Sequence, residues 1–86
     1  MRTRMIDKHT EEWRVQYRKY SKTTAGVEIH NVMYFNDIDE AKIRYMKWLM
    51  EQALEVSHVT LVKLEQRAQG KYETVFKSEF FGYNLI

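Results

Sequence analysis

The sequence predicts an α+β fold, a single ββαββ domain in which an antiparallel-rich four-stranded sheet carries one helix packed on one face. Three observations predict it. The stretch Asp37–Glu55 (DIDEAKIRYMKWLMEQALE) places apolar residues at helical spacing, with no glycine or proline to interrupt it. The segments on both sides alternate apolar and polar residues with the period of two that belongs to strands. The length, 86 residues, suffices for one core and therefore one domain.

Residues 1–10 (MRTRMIDKHT) show no period and read as a flexible lead-in, which leaves 11–86 as the folded unit. From Glu11 to Tyr20, Trp13, Val15 and Tyr17 point one way and Arg14, Gln16 and Arg18 the other, the pattern of a half-buried strand. Ser21–Gly26 is a polar connection whose glycine supplies the positive φ that hairpins often need. Val27–Phe35 then sets Val27, Ile29, Met33 and Phe35 against Glu28, His30, Val32 and Tyr34. Apolar residues on both faces suggest an inner strand, or one partly covered by another element.

Asp37 with Glu40 three positions later forms a capping-box-like start for the helix, and Asp39 suits the positive end of its dipole. The core stripe is Ile38, Ala41, Tyr45, Trp48, Leu49 and Ala53, running to about Glu55. His58–Gln66 is apolar on both faces through Val59, Leu61, Val62 and Leu64, which favours a central strand. Arg67–Lys71, containing Gly70, leads to a fourth strand, Tyr72–Phe80, in which Tyr72, Thr74 and Phe76 alternate with Glu73, Val75 and Lys77. An apolar tail, FFGYNLI, closes the chain.

Composition narrows the chemistry. With no cysteine there are no disulfides, thiolate nucleophiles or cysteine-held metals. No apolar run reaches the roughly 18 residues of a spanning helix, and MRTRMIDKHTEEW lacks the apolar centre of a signal peptide, so a cytoplasmic protein away from the membrane is expected. His9, His30 and His58 do not stand at metal-ligand spacing, and capping accounts for the acids Asp37, Asp39 and Glu40. Triad, nucleophile elbow, P-loop and dinucleotide fingerprint are all missing. The expectation is a non-enzymatic protein with no catalytic residues, cofactor or metal.

The helix holds more apolar surface than one sheet face can bury. Ile43, Met50 and Leu54 lie roughly 120–160° around the axis from Ile38, as a second ridge. A curled sheet, the tail Phe80–Ile86 or another chain has to cover it, and a second copy is the simplest such chain. Glu40–Arg44 and Lys47–Glu51 are expected as i,i+4 pairs along its rim. The interface residues expected are therefore Ile43, Lys47, Met50 and Leu54, in a homodimer or against another protein.

A second surface is the outward face of the first hairpin, where Arg14, Arg18, Tyr20, His30 and Tyr34 combine bases with aromatic rings. Single-stranded nucleic acids are bound on such open sheets by phosphate contact and base stacking. Residues 1–22 hold seven bases against three acids, yet the whole chain carries only +2, less than most nucleic-acid-binding domains.

The order of a short strand, the YFNDIDEAKIRYMKWLMEQ helix with its acidic cap, the VTLVKLE strand and the KYETVFKSE strand resembles the small accessory proteins of bacteriophage and prophage genomes. This resemblance spans nearly the whole chain and implies a cytoplasmic protein that binds a host protein or a nucleic acid in a bacterial cell. It carries over no functional residues. The sequence thus points to a binding or assembly module that dimerises through its helix, with nucleic-acid binding on the first hairpin as the alternative.

Overall fold

A computed structural model describes residues 9–21, 28–52 and 58–80. The elements are β1 (Trp13–Ser21), β2 (Glu28–Phe35), α1 (Ile38–Gln52), β3 (His58–Ala68) and β4 (Lys71–Phe80), the ββαββ order. The four strands form one sheet in the order β2-β1-β3-β4, and every neighbouring pair is antiparallel. Because β2 and β3 both run against β1, they run parallel to each other, and α1 passes over β1 to join them.

That path decides where the core lies. Val15 and Tyr17 of β1 and Val62 and Leu64 of β3 face Ala41, Tyr45 and Trp48 of α1, and all seven are buried. The Tyr17 and Trp48 rings meet edge to face, 4.8 Å between centroids. Trp13, Phe35 and Leu49 pack around this cluster. Among the described residues the result is a slab of 44 × 38 × 15 Å, one helix over one sheet, with no second element on the far sheet face.

Local signals fix the element ends. At the start of α1, Asp37 Oδ1 accepts a hydrogen bond from the Asp39 backbone N–H at 3.3 Å, and the Asp37 carbonyl accepts from Ala41 at 3.1 Å. Ile38, expected in the core stripe, is exposed, while Gln52 is buried at the other end. The expected strand boundary at Gln66 is two residues short, because β3 and β4 close on the two-residue turn Gln69–Gly70. Both turn residues have positive φ (54° and 82°), the type I′ geometry that matches the twist of a hairpin. The connection at Ser21–Gly26 and the expected helix end at Glu55 lie largely outside the described residues, as does Ala53 of the stripe.

Two expectations are corrected. β3 is central, as its two apolar faces suggest; β2 is an edge strand and not an inner one. Of the two readings its faces allowed, partial cover by another element is the one that holds, since Phe35 packs against the core below α1. On its open face Val32 stands opposite Gln16 of β1, and the Tyr34 ring stacks under His9. The uninterrupted alternation in β4 also misleads. A bulge opposite Leu64 and Glu65 pairs Leu64 with Phe76 and Glu65 with Thr74, leaving Val75 as the extra residue. Phe76 therefore shares the helix side with Ser78, which meets the Tyr45 hydroxyl at 3.1 Å, whereas Tyr72 turns to the open side. Among the described residues, no helix is long and apolar enough to cross a membrane.

Candidate functional site

Two surfaces remain once the core is built, and the first is the outer side of α1. Ile43 and Met50 are 68% and 70% exposed, and Met46, at the edge of the same ridge, is 58% exposed. Leu54 lies outside the described residues, as do the side chain of Phe80 and residues 81–86, so coverage of the ridge by the tail lies there too. Lys47 pairs with Glu51 at 3.9 Å, as the spacing suggests. The expected Glu40–Arg44 pair is replaced by a different contact, in which the Arg44 guanidinium lies over the Trp48 ring at 5.4 Å. Stacking on that large core ring competes successfully with an exposed ion pair of a few tenths of a kcal/mol.

Because α1 sits over the two central strands, it leaves β4 uncovered on the helix side. A groove of about 380 Å³ results, lined by Lys42, Tyr45, Met46 and Leu49 of α1, by Leu64 and by Phe76 of β4. Phe76 is 56% exposed at its outer wall. Met46 and Phe76 thus extend the predicted ridge into a wider apolar surface. Helical spacing places Met46 at the edge of the core stripe, and the bulge that turns Phe76 toward it has no mark in the alternation.

On the open side of the sheet, Glu65 of β3 is only 3% exposed although no helix among the described residues covers it. Its Oε1 accepts from Arg14 Nε at 2.6 Å and from Gln16 Nε2 at 2.7 Å, while Lys63 Nζ stands 3.9 Å from Oε2. Gln16 Oε1 meets His30 Nε2 at 2.6 Å, which extends the network to the edge strand. Burial alone would lower the Arg14 pKa, but hydrogen bonds to Glu65 and Tyr34 outweigh it and hold the pKa above its usual value. The guanidinium also lies 4.6 Å over the Tyr72 ring.

Residues 9–12 strap the end of this network. Arg67 donates from its backbone N–H to the Glu12 carbonyl at 2.8 Å and from Nη1 to the His9 carbonyl, and the Tyr72 hydroxyl donates to the Glu11 carbonyl. His9, within the expected lead-in, stacks on Tyr34 at 3.6 Å. Residues 1–8 are outside the described part of the chain.

Of the five residues expected on this face, the fold brings Arg14, His30 and Tyr34 into one network. Arg18 stands apart and pairs with Glu28 at 2.9 Å, and Tyr20 is exposed at the other end of β1. Glu65 and Tyr72 complete the network and carry no mark in the sequence, because only the β1–β3 register sets Glu65 opposite Arg14. The chain matches no family model, no curated protein and no solved structure.

Proposed function

We propose that this chain is a non-enzymatic protein-association module that docks another chain, most simply a second copy of itself, on the outer face of α1. The observation that carries the reading is the exposure of Ile43 and Met50 on a helix whose opposite side already fills the core. Contiguous apolar surface of this kind marks interfaces, and Lys47 with Glu51 supplies a polar rim. The resemblance to phage accessory proteins agrees with a role in binding, in a bacterial cytoplasm.

Nucleic-acid binding ranks second for a specific reason. Most groups on the open face that would engage phosphate and bases already have partners: Arg14 and Arg18 hold Glu65 and Glu28, and the Tyr34 and Tyr72 rings carry His9 and Arg14, while Tyr20 stays exposed at the end of β1. Sedimentation velocity over a concentration series tests the primary reading. Reversible association into a dimer in the micromolar range is expected, and a monomer at high micromolar concentration contradicts self-association. Anisotropy titrations with labelled RNA and DNA at low salt are expected to show no binding, and saturable binding would favour the second reading.

A further inference from the structure

The groove between α1 and β4 lies directly beside the ridge, on the same face of the molecule. Met46 is common to both, since it borders the groove and stands at the ridge's edge. Under a two-fold operator each copy presents the same ridge and the same groove, so a ridge that enters its partner's groove makes the contact twice. We propose that the groove receives the Met46–Met50 edge of a second copy, with Phe76 as its outer wall. This rests on the association reading above and names the contact that makes it.

Two features of the surface point to a copy of this chain as the occupant. The first is charge. The outer side of α1 carries three acids (Asp39, Glu40, Glu51) and three bases (Lys42, Arg44, Lys47) around the apolar residues. A balanced rim suits its own duplicate, where each sign finds the other, and selects neither a strongly acidic nor a strongly basic partner. The second is area. Ile43, Met46, Met50 and Phe76 are each more than half exposed, and at roughly 100–150 Å² apiece they supply on the order of 500 Å². That approaches the roughly 600 Å² per partner of the smaller specific interfaces, and the groove walls add to it. Methionine side chains, unbranched and polarisable, are suited to filling such an irregular groove.

The absence of cysteine makes the contact easy to test. Met50→Cys and Phe76→Cys chains, prepared separately and mixed, are treated with a short bis-maleimide, while Phe76→Asp and Met50→Asp chains are followed by sedimentation velocity. The expected results are efficient mixed cross-linking between positions 50 and 76, and at least tenfold weaker association for Phe76→Asp with its thermal transition retained. If Met50→Asp abolishes association but Phe76→Asp associates like the parent and no mixed cross-link forms, the ridge reading stands and the groove assignment is overturned. Indifference to Phe76 is also the result if the chain's own C-terminal residues or another protein fill the groove. If the parent does not associate at all, both readings fall together.

Discussion

Glu65 accepts a 2.6 Å hydrogen bond from Arg14 Nε across the β1–β3 ladder, and it is buried on a sheet face that no helix among the described residues covers. The side chains around it produce that burial: Arg14 and Gln16 on one side, Lys63 on its own strand and Thr74 opposite. Removing Glu65 leaves Arg14 and Gln16 without their acceptor at once. Glu65→Ala is therefore expected to destabilise the domain by about 3 kcal/mol in urea unfolding. Replacing both Glu65 and Arg14 with leucine should restore part of the loss, because Arg14 is then no longer left facing a missing carboxylate, although Lys63 and Gln16 still lose their contacts with Glu65. Losses for Glu65→Leu and Arg14→Leu that simply add in the double variant would show that the pair contributes nothing as a pair.

The Gln69–Gly70 turn gives a purely local test. A Cβ at Gly70 would meet no atom within 4 Å, so any cost of Gly70→Ala comes from holding φ at 82° and not from a clash. A loss of about 1 kcal/mol is expected. Gln69→Asn, which creates the Asn-Gly pair preferred in type I′ turns, should raise stability by about 0.5 kcal/mol. Thermal melts of the two variants should move in opposite directions.

Thr60 is fully buried in β3, and among the described residues its Oγ1 has no hydrogen-bond partner. Desolvating a hydroxyl without a partner costs about 1–3 kcal/mol. Thr60→Val keeps the shape and removes that group, so it is expected to leave stability unchanged or raise it by about 1 kcal/mol. A clear loss on denaturant unfolding would indicate that the hydroxyl is satisfied.

What the chain discloses follows from how local each signal is. The Ala41, Tyr45, Trp48 stripe and the Asp37 cap are readable because helix periodicity and capping involve neighbours within one turn. The same holds for the alternation of Trp13, Val15 and Tyr17. The edge position of β2, the bulge at Val75 and the burial of Glu65 all depend on which strand lies beside which, and no spacing within one strand records that. The ridge at Ile43 and Met50 was legible for the opposite reason: it is surplus apolar surface on an element whose core face is already accounted for.

We assign this surplus apolar surface to an interface and not to the core. Met50→Asp tests it most directly, by sedimentation velocity at a concentration where the parent is dimeric, paired with a denaturant melt. The side chain is 70% exposed, so the substitution should alter folding stability by no more than about 0.5 kcal/mol and yield a folded monomer. A variant that unfolds, or one that still sediments as a dimer, would contradict the assignment of the outer helix face as the site of association.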